Sequence, residues 1–125
     1  QVLSLEGNEQ AVRDARRTLH DHPAARLASG RVGARSVREL AGSFTGGRPD
    51  VVVLDPPRQG AGREVIEAVG ALGAERIVLV ACDPAALARD LGTLLRSGYT
   101  LGSMSALDMF PHTHHFETIA VLDRS

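Results

Sequence analysis

Two uninterrupted apolar runs, "DVVVLD" (50–55) and "RIVLVAC" (76–82), constrain this chain more than any other feature. A strand with one face in water alternates apolar and polar residues. A β-branched run without alternation instead marks a strand buried on both faces, as in a parallel sheet. Parallel neighbours need a long crossover between them. The sequence supplies one in "GREVIEAVGAL" (62–72), which has helical periodicity and separates the two runs.

The alternation extends in both directions. "QVLSLE" (1–6) reads as a strand and "NEQAVRDARRTL" (8–19) as a helix, with Ala11, Val12, Ala15 and Leu19 at helical spacing and Asn8 as N-cap. "AARLAS" (24–29) and "ARSVRELAG" (34–42) are a second short strand and helix. In "PAALARDLGTLLRSG" (84–98), Asp83 caps the helix, Pro84 suits its first turn and Gly98 closes it. Leu87, Leu91, Leu94 and Leu95 form its apolar face. "YTLGSMSAL" (99–107) and "FETIAVLD" (116–123) are two closing strands joined by the loop "DMFPHTHH". Strands alternating with helices predict an α/β fold with a doubly wound, mostly parallel sheet. The 125 residues make one domain, 1–125, with no internal repeat or linker.

Composition narrows the function. A single cysteine, Cys82, cannot form an internal disulfide, so the chain needs no oxidising compartment. No apolar run approaches the ~20 residues of a membrane span, and Gln1 begins no signal peptide. A cytoplasmic location without membrane contact is therefore expected. A net charge of −1 gives no overall basic field for nucleic acid, so any such contact must be local or lie on another segment.

In doubly wound sheets ligands bind at the carboxyl ends of the strands. Glu6, Asp55 and Cys82 each stand at or just past such an end. On base rates a lone cysteine there is a small buried hydrophobe. Cys82, however, directly precedes a helix start, and a helix N-terminus stabilises a thiolate.

Three stretches in order, "VVVLDPPRQGAG", "VLVACDPAALARDLGTLLRSGYTL" and "LDMFPHTHHFETIAVL", resemble the catalytic domain of the RNA uracil-C5 methyltransferases. These enzymes use S-adenosyl-L-methionine to make 5-methyluridine in tRNA or rRNA. The resemblance runs from Gln1 to Arg124; "DPPR" carries little of it, and "CDPAALARDL" followed by "DMFPHTHHFE" carries most. It implies a Rossmann-like class I methyltransferase sheet. It also implies covalent chemistry: a thiolate adds to C6 of uracil, C5 becomes nucleophilic, and a base later removes the C5 proton so that the thiol can leave.

By this resemblance Cys82 is the nucleophile and Glu117 the base. Glu6 binds the cofactor ribose, because a carboxylate accepts from both hydroxyls, and Asp55 sits near the methionine end and the target base. Arg58 touches RNA phosphate or pairs with a carboxylate. His115 matches the family's single histidine. His112 and His114 read as exposed loop side chains, and with Asp108 they lack the definite spacing of a metal site, so no metal is expected.

Two departures from the family stand out. The first strand and its glycine-rich cofactor loop are absent, so the chain resembles the C-terminal portion of the catalytic domain. The absent strand would lie between 1–6 and 50–55, leaving a gap with exposed edges. Repair by rearrangement, strand exchange or self-association is expected, and the isolated chain is expected to be inactive. In "SGRVGAR", Arg31 stands where the family often carries Asp or Asn, which leaves the adenine contact unassigned. A non-catalytic methyltransferase-like α/β binding module is the alternative, but such a module needs neither Cys82 nor Glu117. A dinucleotide oxidoreductase lacks its G-x-G-x-x-G here.

Overall fold

A computed structural model describes residues 1–109, 111–113 and 116–125. Along the chain run β1 (Val2–Glu6), α1 (Glu9–Thr18), β2 (Ala25–Ser29), α2 (Ala34–Gly42) and β3 (Val51–Leu54). They are followed by α3 (Arg63–Ala71), β4 (Arg76–Ala81), α4 (Pro84–Arg96), β5 (Tyr99–Leu107) and β6 (Glu117–Arg124). Every element expected from the sequence is present, with ends shifted by a residue or two. The caps explain why the helices start where they do. Asn8 Oδ1 accepts from the N–H groups of Gln10 (2.9 Å) and Ala11 (3.1 Å) at the head of α1. Asp83 Oδ1 accepts from Ala86 N–H at 2.7 Å with Pro84 in the first turn of α4. That helix ends at Ser97, and Gly98 takes the left-handed conformation (φ 89°) that only glycine adopts at little cost.

The strands form two sheets, β1–β2 and β3–β4–β6–β5. β1 pairs with β2, and β3 with β4, in parallel. β6 pairs antiparallel with both β4 and β5, and a bulge at Gly102 interrupts the second ladder between Leu101 and Ser103. From β1 the chain winds outward to β2, and from β3 it winds the other way to β4. A reversal of winding of this kind is the doubly wound arrangement. The winding reverses between β1 and β3, and among the described residues no strand joins them. Gln1 Oε1 accepts from the backbone N–H (3.2 Å) and the hydroxyl (3.0 Å) of Thr45, so β1 begins beside the loop that leads into β3. Between the two strands lies a cleft of about 610 Å³ lined by Leu3, Leu5, Val37, Leu40, Val52 and Leu54, among others. The expected gap is thus present, and internal rearrangement, one of the three expected repairs, does not close it.

The core lies between β3–β4–β6 and the helices α2, α3 and α4. Ile66, Val69, Ile77, Leu79, Leu94 and Leu122 are fully buried there. Each large side chain so buried contributes about 1.5–3 kcal/mol. Two expectations are corrected. The run in β3 is not buried on both faces: Val51 and Val53 are 51% and 66% exposed, and Val78 and Val80 of β4 are only half-buried. The reason is that α2, α3 and α4 pack in one cluster on one face, and among the described residues no helix covers the other. Leu95 is also not part of the apolar face of α4. It is 48% exposed, turned about 100° beyond Leu94 by the helical repeat.

Candidate active site

The parallel strands bring three of the four expected residues to their carboxyl ends. Glu6 ends β1, Asp55 follows β3 and Cys82 follows β4. Glu117 arrives at the same edge because β6 runs antiparallel to β4 and begins there. In that ladder Ala81 pairs with Thr118. The next residue on the β4 side is Cys82 and on the β6 side Glu117, so both stand at this end of the ladder.

Cys82 is half-buried, whereas Ala81 before it is buried. Cys82 is absent from the cluster of buried core residues. It directly precedes the Asp83 cap, beside the positive end of a helix thirteen residues long. Glu117 is half-buried as well. Asp55 is exposed at the turn opened by Pro56 and Pro57, where Gly60 N–H donates to the Pro57 carbonyl at 2.8 Å. Glu6 is exposed; its Oε1 accepts from Asn8 N–H at 2.7 Å, which fixes the carboxylate at the β1–α1 turn. Its second oxygen, Oε2, takes no hydrogen bond among the described residues, so the group keeps an acceptor for a ligand hydroxyl. Cys82, Glu117 and Asp55 share one sheet. Glu6 belongs to the other, and none of the four lines the cleft between β1 and β3.

Arg58, Arg31, Asp108 and His112 are exposed, while His114 and His115 lie outside the described residues. No group of three His, Cys, Asp or Glu side chains among the described residues could hold a metal ion. None of the described helices is long and apolar enough to cross a membrane.

One residue of the site was not singled out in the sequence. Asp90, on α4, is 5% exposed, and its Oδ2 accepts from Ala61 N–H at 2.8 Å, in the loop that follows Asp55. The signal was present: Asp90 falls between Leu87, Leu91 and Leu94, a charge inside an apolar helical stripe.

The strand order, the reversal between β1 and β3 and the residues at the carboxyl ends define a class I methyltransferase fold. Aeropyrum pernix fibrillarin in complex with S-adenosyl-L-methionine shares it with a TM-score of 0.71 at 15% identity, over 96% of this chain and 55% of that one. A family model, tRNA (Uracil-5-)-methyltransferase, matches residues 27–125, and the chain belongs to that family. It is similar to the Pyrococcus abyssi tRNA (uracil-54, C5)-methyltransferase, solved with S-adenosyl-L-homocysteine. The TM-score is 0.76 at 32% identity, over 98% of this chain and 28% of that one. It is 46% identical over 122 residues to an RNA methyltransferase of Streptomyces avermitilis, covering 98% of this chain and 27% of the relative. It is also 53% identical over 76 residues to a 23S rRNA (uracil(1939)-C(5))-methyltransferase of Vibrio parahaemolyticus, covering 61% of this chain and 17% of the relative. The chain therefore spans about a quarter of the length of the relatives it matches end to end.

Proposed function

We propose that this chain is the C-terminal portion of the catalytic domain of an S-adenosyl-L-methionine-dependent RNA methyltransferase that makes 5-methyluridine in the cytoplasm. The observation that carries the reading is that Cys82 follows β4 and Glu117 begins β6 at the same end of their shared ladder, beside the α4 N-terminus. A nucleophile and a base on facing strand ends can flank one planar ring.

In this reading the Cys82 thiolate bonds to C6 of the uracil. The C5–C6 electron pair shifts towards the C4 carbonyl, and C5 gains nucleophilic character. S-adenosyl-L-methionine, when bound, supplies an electrophilic methyl group for C5. The Glu117 carboxylate then takes the C5 proton, the double bond re-forms and Cys82 leaves as thiolate. Glu6 would hold the ribose through its uncommitted oxygen, and Asp55 would face the methionine end. Both carboxylates are exposed at the reversal of the sheet, where class I folds bind ligands. RNA recognition belongs to the longer enzyme, given the net charge of −1. Glu6 and Asp55 follow strands of two sheets that no strand joins among the described residues. We therefore infer that the isolated chain is inactive and self-associates through its unpaired strand edges.

The test is a calorimetric titration with S-adenosyl-L-homocysteine, on the 125-residue chain and on the longer enzyme, with Glu6→Ala as control. Binding by the longer enzyme that Glu6→Ala removes supports the assignment. A longer enzyme that binds no cofactor would turn the reading towards a methyltransferase-like binding module.

A further inference from the structure

We infer that Asp90 is a positioning residue: it latches the loop carrying Asp55 onto α4, the helix whose N-terminus adjoins Cys82, and so fixes Asp55 relative to Cys82. The inference rests on the catalytic reading above for its functional consequence, but not for its geometry.

A carboxylate on an apolar helical stripe is costly to bury unless a specific partner holds it. Asp90 is 5% exposed, and the partner is the backbone N–H of Ala61, 2.8 Å from Oδ2. The loop is shaped around that oxygen. A Cβ placed on Gly60 would meet Asp90 Oδ2 at 2.8 Å and the Ala86 Cβ at 3.2 Å. Gly60 also has φ +84°, in the left-handed region that side chains disfavour. Two independent features at position 60, its backbone conformation and its lack of a side chain, thus bring Ala61 N–H onto Asp90.

The consequence follows from where the latch is placed. Residues 55–62 leave β3 through Asp55, Pro56 and Pro57 and enter α3, whose N-cap, Gly62, has no capping side chain. The 2.8 Å bond from Gly60 N–H to the Pro57 carbonyl is internal to the loop. The bond to Asp90 ties it to another element, aided by a long contact of 3.5 Å from the Arg89 guanidinium to the Gln59 carbonyl. Asp90 lies two turns along α4 from Asp83, which caps the helix directly after Cys82. One rigid helix therefore carries the neighbour of the thiol at its head and the anchor of the Asp55 loop on its side. Asp90 touches no reacting atom in this scheme; it acts through the loop.

The test uses the longer enzyme with Asp90→Ala, which removes the acceptor, and Asp90→Asn, which retains a carbonyl oxygen for Ala61 N–H. Hydrogen–deuterium exchange of peptides spanning 55–62 and 84–96 reads the latch directly. Covalent adduct formation with 5-fluorouridine RNA, at saturating RNA and cofactor, reads its effect on chemistry. In Asp90→Ala, exchange should rise over 55–62 and not over 84–96, and adduct formation should slow on the order of ten- to a hundredfold. Asp90→Asn should restore both. Unchanged loop exchange in Asp90→Ala overturns the latch, and a freed loop with an unchanged adduct rate overturns its positioning role. If Asp90→Ala does not fold, Asp90→Asn decides: a protected loop and a parental rate support the proposal, and loss of either with α4 intact overturns it. A parent enzyme that forms no adduct, with loop exchange still responding to Asp90, sinks the catalytic reading and leaves the latch standing.

Discussion

Cys82 and Glu117 adjoin the last pair of the β4–β6 ladder, Ala81 and Thr118: Cys82 follows Ala81, and Glu117 precedes Thr118. The two residues are distant in sequence, and a single antiparallel ladder brings them to the same end of the sheet. If Cys82 is the nucleophile, Cys82→Ala in the longer enzyme abolishes covalent capture of 5-fluorouridine RNA. If Glu117 is the base, Glu117→Gln lets the adduct with ordinary uridine RNA accumulate, because only elimination is blocked. Denaturing gel electrophoresis separates the two outcomes. Methylation by the Cys82 variant would remove the nucleophile assignment.

Asp83 joins stability to chemistry. Its carboxylate accepts from Ala86 N–H at 2.7 Å and starts the helix beside Cys82. Asp83→Ala should cost about 0.5–2 kcal/mol in urea denaturation of the chain. Asp83→Ser, another good N-cap, should recover most of that loss. Equal losses in both variants would mean that capping is not what Asp83 contributes.

Tyr99 gives a pH dependence with a definite sign. It is 3% exposed, and its hydroxyl donates to the Ala74 carbonyl at 3.0 Å. Burial pushes the hydroxyl's pKa up, against the weaker opposing pull of the Arg124 and Arg48 cations. The unfolded chain releases this proton near pH ~10, earlier than the folded chain does. The stabilising contribution of neutral Tyr99 is complete below that pH and is lost as pH rises through the higher folded value. Denaturation midpoints should fall above pH ~10, and Tyr99→Phe should flatten that decline. At neutral pH the same substitution should cost about 0.5–1.5 kcal/mol, because the Ala74 carbonyl loses its donor. An alkaline limb that survives in Tyr99→Phe would assign it to other groups.

Self-association makes a separate prediction. β1 and β3 present unpaired edges, and Val51 and Val53 expose an apolar face beside one of them. Sedimentation velocity should show the 125-residue chain growing heavier with concentration. Lysine at edge positions resists strand pairing, so Val51→Lys with Val53→Lys should return it towards monomer. A wild-type chain that stays monomeric at every concentration would refute self-association.

The sequence by itself determined the elements and their order. Asn8 and Asp83 announce helices through local capping, Gly98 ends one through its own backbone freedom, and the β-branched runs at 50–55 and 76–82 read as strands. These signals act over a few residues, so they survive without tertiary context, and crossover handedness then fixes which strand ends share an edge. Tertiary structure alone decided the rest. β6 inserts between β4 and β5, and that long-range pairing brings Glu117 to the end of the sheet where Cys82 stands. Which face of β3 is covered depends on where α2, α3 and α4 pack, so Val51 and Val53 lie open despite a run of residues suited to burial. Asp90 looks like one more charge on a helix until Gly60 brings the Ala61 N–H onto it. Burial and partnership are properties of surfaces brought together, and no window along the chain contains both surfaces.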